Sequence, residues 1–205
     1  VVFTGDQEQT DKVLDAIANG DGLPNVQAII CVDTKGMRNY ANSMLMSFED
    51  LLARGAAWRD AHPGAEEALD REIDSSKPDD IAIMVYTSGT TGKPKGAMLS
   101  HCTVIHSSMV FVSCLQLTDA DRSIAAVPLG HVTGVVANIT TMLRCAGALI
   151  IMPEFKAAEY LKVAARERVT YTVMVPAMYN LCLLQPDFDS YDLSSWRIGG
   201  FGGAP

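Results

Sequence analysis

Short apolar runs alternate with stretches of helical period along nearly the whole chain. Residues 26–32, 81–85, 123–127, 148–152 and 171–175 have the length of strands and lack a 3.6-residue period. Between them, Val13, Leu14 and Ile17 share one helical face, as do Val104, Ile105, Met109, Val112 and Leu115. Val135, Val136, Ile139, Met142 and Leu143 form a third stripe, and 157–168 and 177–184 read as further helices, the last opened by Pro176. Parallel strands need crossover connections, so this alternation predicts an α/β fold with a largely parallel sheet flanked by helices. The run Ile81-Ala82-Ile83-Met84-Val85 predicts a strand buried on both faces. Asp6 with Gln9 predicts a capping box, and Ser47-Phe48-Glu49-Asp50 opens another helix after a loop over 33–42.

Composition excludes several function classes. Of 205 residues 48% are apolar and 20% charged, enough for a sizeable core. The net charge of −8, with no basic tract, argues against nucleic acid as a partner. The acidic stretch 65–80 has no fixed ligand spacing and reads as a solvated helix face and linker, and no metal site is expected in it. Five cysteines without CxxC spacing read as reduced, buried thiols of a cytoplasmic protein. The most apolar region, 124–152, is interrupted by Pro128, His131, Asn138 and Arg144, so no transmembrane segment is expected. The ten methionines read as core filler, and His101 and His106 as structural residues of a helix over 98–117.

The segment Tyr86–Gly96, YTSGTTGKPKG, concentrates four hydroxyls (Thr87, Ser88, Thr90, Thr91), three glycines (Gly89, Gly92, Gly96) and two lysines (Lys93, Lys95). It follows an apolar strand and precedes a stretch that reads as helix. Strand, glycine-rich loop and helix together bind phosphate: backbone N–H groups converge on the anion and the helix start adds positive potential. The pattern G-x-x-x-x-G-K-[ST] is not met, since Gly92-Lys93 is followed by Pro94, and G-x-G-x-x-G is absent from the loop. A polyphosphate ligand remains the expectation.

Residue for residue, this segment resembles the phosphate-binding signature of the AMP-forming acyl-adenylate enzymes. That superfamily includes acyl-CoA synthetases, firefly-type luciferases and the adenylation domains of peptide synthetases. Pro128-Leu129-Gly130-His131-Val132-Thr133-Gly134 resembles the family's P-L-aromatic-H-x-x-G segment, whose histidine borders the acyl-carboxylate pocket. Gly130 departs from it, standing where the family has an aromatic residue. Gly202-Gly203-Ala204-Pro205 resembles the turn laid against adenine and the acyl carboxylate. The three segments occur in the family's order.

The resemblance implies a fragment of the family's large N-terminal domain: 1–80 as a leading α/β portion with an acidic linker, and 81–205 as the phosphate-loop and acyl-pocket portion. The chain starts without Met and ends at Gly-Gly-Ala-Pro, and both ends are read as cut, with the C-terminal domain absent. The implied chemistry is attack of a small-molecule carboxylic acid on Mg-ATP to give acyl-AMP and pyrophosphate, then thioester formation with coenzyme A. It implies nucleotide-binding roles for Thr87, Ser88, Gly89, Thr90, Thr91, Gly92, Lys93, Lys95, Gly96, Gly202, Gly203, Ala204 and Pro205, and catalytic roles for Lys95 and His131. The expectation is a fatty or aryl acid CoA ligase whose isolated fragment does not turn over. A peptide-synthetase adenylation domain, a non-catalytic nucleotide-binding module and a phosphotransferase are the alternatives.

Overall fold

A computed structural model describes residues 1–20, 23–87 and 95–202. The chain divides into two compact units, Val1–Ser75 and Ser76–Pro205.

In the first unit, β1 (Val2–Thr4), β2 (Ile29–Cys31) and β3 (Leu45–Ser47) form a parallel sheet in that order, with Val2 opposite Ile29 and Ile29 opposite Leu45. The central strand supplies the core: Ile29, Ile30 and Cys31 are fully buried. α1 (Gln7–Ala18) is the crossover, started by Asp6, whose carboxylate accepts from Gln9 N. The Gln9 amide oxygen accepts in return from Gly5 N, one residue short of a full capping box. Thr10 meets Thr4 Oγ1 at 2.8 Å beneath the helix, so two buried hydroxyls satisfy each other. α2 (Phe48–Ala61) opens with a complete capping box between Ser47 and Asp50. α3 (Ala65–Ser75) buries no residue, as expected of the acidic stretch. β3 was not foreseen, because three residues give too little alternation to register as a strand.

The second unit begins with a hairpin, β4 (Ile81–Thr87) and β5 (Lys95–Ser100), paired antiparallel with Tyr86 opposite Gly96 and Thr87 opposite Lys95. Two expectations fail here. β4 is not buried on both faces: only Val85 is buried, while Ile81, Met84 and Tyr86 are exposed. The apolar run belongs to a two-stranded ribbon, and a ribbon shields far less surface than the middle of a sheet. The loop is also followed by a strand, where a helix was predicted. Ala97, Met98 and Leu99 pair with Val85, Met84 and Ile83, and cross-strand pairing overrides the helical period. Gly96 permits the pairing, since a Cβ there would lie 3.1 Å from the Tyr86 ring. The helix α4 (His101–Leu115) starts only afterwards, capped by Ser100.

The rest of the unit is a four-stranded parallel sheet ordered β7–β6–β8–β9, from β6 (Arg122–Ala125), β7 (Ala148–Ile151), β8 (Tyr171–Met174) and β9 (Ile198–Phe201). One face packs Tyr171 and Val173 with Leu117, Ala137 and Met142, beneath α4 and the helix after β6. The other packs Ile124 and Met174 against α6 (Ala157–Arg166) and α7 (Pro176–Leu183), around Tyr160, Leu161 and Cys182. A sheet covered on both faces is the α/β architecture the alternation predicts.

The helix after β6 is not regular. Residues Thr133–Thr140 wind as a π-helix and continue as α5 (Thr141–Cys145). Buried Asn138 donates to Thr133 O and accepts from Ser123 Oγ, and buried Thr141 donates to Val136 O. These two polar residues satisfy groups that the widened turn displaces. The wider turn also breaks the 135–143 stripe, leaving Leu143 74% exposed while Met142 is buried.

At the opposite edge of the sheet, buried Asp121 joins four elements. It accepts from Thr118 N and Thr170 Oγ1, and both its carboxylate oxygens accept from the Arg197 guanidinium. Arg197 also donates to Leu115 O and Gln116 O, closing the C-terminus of α4. The start of β9 is thereby tied to the end of α4.

Candidate active site

The carboxyl edge of an open parallel sheet is where such folds bind ligands, because the loops there leave the strands together. Two predicted segments reach that edge. After β6 the chain turns through Pro128–Gly134, where His131 N donates to Pro128 O. Gly134 is required by close approach: a Cβ would lie 2.4 Å from Pro128 O and 2.6 Å from Leu129 Cα. At Gly130 nothing lies within 4 Å of a Cβ placed there, so no close approach demands a glycine.

This turn fixes the imidazole of His131. Its Nδ1 accepts from Thr133 N at 3.2 Å and lies 3.2 Å from Thr133 Oγ1. An Nδ1 that accepts a backbone N–H leaves the proton of the neutral ring on Nε2. The ring is exposed, so Nε2–H is presented as a donor at the sheet edge.

Beside His131 opens a cavity of about 520 Å³ with an overwhelmingly apolar lining. One wall is the face of α4 bearing Ser107, Val110, Phe111, Cys114 and Leu115, at helical spacing. Val132, Thr133 and Val136 form a second wall, and Val173, Gly200 and Gly202 a third. Gly202 is thus the member of the predicted terminal turn that the described residues place at the cavity, and Gly200, unpredicted, lies beside it.

Of the α4 wall, the predicted stripe contained Leu115 but not Ser107, Val110, Phe111 or Cys114. The inward face predicted from sequence included Ile105 and Met109, which are 53% and 45% exposed. The residues facing the cavity sit about two positions further on, and a serine and a cysteine among them diluted the apolar stripe. His101 and His106 are exposed on the same helix. Cys102 and Cys114 are exposed too, correcting the expectation of five buried thiols, whereas burial pushes the Cys182 thiol up to about 11. All five cysteines are free.

Of the phosphate segment, the structure describes its two flanks. Thr87 is paired with Lys95 at the end of the β4–β5 ladder that borders 88–94, and Gly96 pairs with Tyr86 next to it. Lys95 is exposed and has no ion pair with another described residue. Ser88, Gly89, Thr90, Thr91, Gly92 and Lys93 lie outside the described residues, as do Gly203, Ala204 and Pro205. Among the described residues no group of three or more His, Cys, Asp or Glu side chains could hold a metal ion, and no helix is long and apolar enough to cross a membrane.

Known proteins resemble the chain in sequence and in fold. The chain is 32% identical over 189 residues to the mitochondrial medium-chain acyl-CoA ligase ACSF2 of Macaca fascicularis, a match covering 89% of this chain and 29% of that protein. It is 34% identical over 155 residues to the indoleacetate–CoA ligase of Aromatoleum aromaticum, covering 75% and 28%. The crystal structure of ATP-bound MatB from Rhodopseudomonas palustris superposes with a TM-score of 0.58 at 34% identity, over 63% of this chain and 25% of that one. The chain therefore spans less than a third of the length of the relatives it matches. The family model for the AMP-binding enzyme matches residues 1–205, and the chain belongs to that family.

Proposed function

We propose that the whole protein activates an apolar carboxylic acid, fatty or aryl, by AMP transfer from ATP and passes the acyl group to the thiol of coenzyme A. The observation that carries this reading is the apolar cavity opening beside His131 and Gly202, in a chain of the AMP-binding enzyme family. Relatives named for CoA ligation and a structural neighbour holding ATP support it.

In the first step a carboxylate oxygen attacks the α-phosphorus of ATP, and pyrophosphate leaves with the electrons of the broken P–O bond. In the second, a thiolate sulfur attacks the acyl carbon and AMP leaves. The first step brings an anion to a polyanion, so its barrier is largely electrostatic. Lys95, with Thr87, Ser88, Gly89, Thr90, Thr91, Gly92, Gly96 and, at a variable position, Lys93, is our candidate set for the β- and γ-phosphates. The Nε2–H of His131 would hold the carboxylate at the cavity mouth. Gly202, Gly203, Ala204 and Pro205 would pack against the nucleotide. Magnesium would accompany the nucleotide phosphates, as it does where it is bound through substrate phosphates. In this reading 1–80 and 81–205 are two portions of one N-terminal domain, five free thiols fit a cytoplasmic setting, and these 205 residues do not turn over by themselves.

The test is acid-dependent pyrophosphate release, with AMP as the nucleotide product, from a version of the protein extended to the length of its relatives. Lys95→Ala should lower kcat/KM by about 10²–10³, the scale of removing one preorganised charged donor. ADP as product, or release that does not depend on any acid, would refute the reading.

A further inference from the structure

Asn138 stands where an amide side chain is costly. It is fully buried in the helix after β6, within the stretch that winds as a π-helix. A buried amide gives up its water and contributes stability only through the bonds it makes. A leucine of similar volume would fill the position without that loss. The winding is a second departure from the ordinary course, since π turns are rare and are found often at functional sites. This one begins at Thr133, the residue whose N–H holds His131.

The bonds of Asn138 connect the two departures. Thr133 O can only accept, so the amide NH2 faces it at 3.0 Å, and the amide oxygen is left to accept from Ser123 Oγ at 3.3 Å. Ser123 is itself fully buried on β6, which lies between β7 and β8 in the sheet. On its other side, Thr133 N donates to His131 Nδ1. That N–H belongs to the first residue of the helix, where no intrahelical acceptor exists, so the imidazole serves as its cap. Residue 133 is therefore held at both backbone groups, by Asn138 from the sheet and by His131 at the surface. The ring is exposed, so its orientation depends on Thr133.

We infer that Asn138 is a positioning residue. Acting through Thr133, it ties the His131 imidazole to a central strand of the sheet and keeps Nε2–H presented at the carboxyl edge. That His131 then holds a carboxylate rests on the adenylation reading; the orientation of the ring does not, and the two can be read apart.

Both readouts use the protein extended to the length of its relatives. With isotope-labelled histidine, and with His131→Gln identifying the signal, nitrogen NMR of the neutral wild-type ring should show Nδ1 as acceptor and Nε2 as protonated. In Asn138→Leu the two nitrogen shifts should move toward each other as the tautomers mix. In pyrophosphate release, Asn138→Leu should lower kcat/KM for the acid by about tenfold and leave KM for ATP within about twofold. On a His131→Ala background the same substitution should cost less than about twofold, because the group it acts through is gone. Ser123→Ala leaves the helix sequence intact and should give the same ring signature more weakly. It carries the test alone if Asn138→Leu does not melt cooperatively. Unchanged His131 shifts in a folded variant, or a cost undiminished on the His131→Ala background, would overturn the inference and leave Asn138 as filler of the widened turn. Mixed tautomers in a protein that releases no pyrophosphate with any acid would refute adenylation and leave the positioning role standing. Acid-dependent release with unchanged shifts would do the reverse.

Discussion

Replacing Arg197 by alanine should destabilise the second unit, by an amount that depends on pH. Arg197 donates to both carboxylate oxygens of Asp121 at 2.8 and 2.9 Å and to the last carbonyls of α4. Asp121 is only 4% exposed at its side chain, so the variant leaves a buried carboxylate with neutral donors alone, Thr170 Oγ1, Thr118 N and Thr118 Oγ1. Stripping one partner from a fully buried pair costs about 3–5 kcal/mol. Arg197 is itself 43% exposed, and solvent screening lowers the expectation to about 2–3 kcal/mol. Burial alone would raise the Asp121 pKa, but hydrogen bonds from Thr170, Thr118 N and Arg197 outweigh it and hold the carboxyl below its ordinary range. A carboxyl lowered in the folded state contributes stability above its unfolded pKa, and that contribution disappears as pH falls through the folded value. The gap between wild type and Arg197→Ala should therefore be full at neutral pH and shrink in acid, below the ordinary aspartate range. Urea unfolding followed by Trp196 fluorescence in a Trp58→Phe background isolates the second unit, since the chain has two tryptophans. A loss under about 0.5 kcal/mol at pH 7 would place the pair among inconsequential surface bridges and refute the clamp. A gap that widens in acid would refute the titration argument.

Two further outcomes follow from individual contacts. Gly134→Ala puts a methyl 2.4 Å from a backbone oxygen, so the turn must move; a cost of about 1–3 kcal/mol is expected, with loss of the Nδ1 contact that orients His131, seen as a change in its imidazole NMR shifts. Ser47→Ala removes the acceptor for Asp50 N and should cost about 1 kcal/mol, read as faster amide exchange in the first turn of α2, with the second unit unchanged.

The residues legible as a site were those whose chemistry is local. Hydroxyls, glycines and lysines crowded into 86–96, a histidine behind a proline, and glycines after a strand stand out at short range because an anion or a close backbone approach demands those types. The α/β class was equally legible from its alternation. The cavity was not, because its walls come from α4, the π-helical segment, β8 and β9, which lie up to ninety-five positions apart between Ser107 and Gly202. Nothing in the local period of α4 says that Ser107, Val110 and Cys114 will border the cavity while Ile105 and Met109 stay exposed and Val104 is buried.

The strand after the phosphate segment and the π-helical turn were decided the same way. Lys95–Ser100 has residues that suit a helix, and becomes strand because β4 offers a partner opposite Gly96. Residues 133–140 suit an ordinary α-helix, and widen because Asn138 is drawn inward to Ser123 of the neighbouring strand. Sequence alone determined the order of elements, the chemical character of the expected site and its family, since those depend on residue type and near neighbours. Tertiary structure decided which faces are buried, where the helix begins and which residues line the cavity, since those depend on partners that only folding brings into contact.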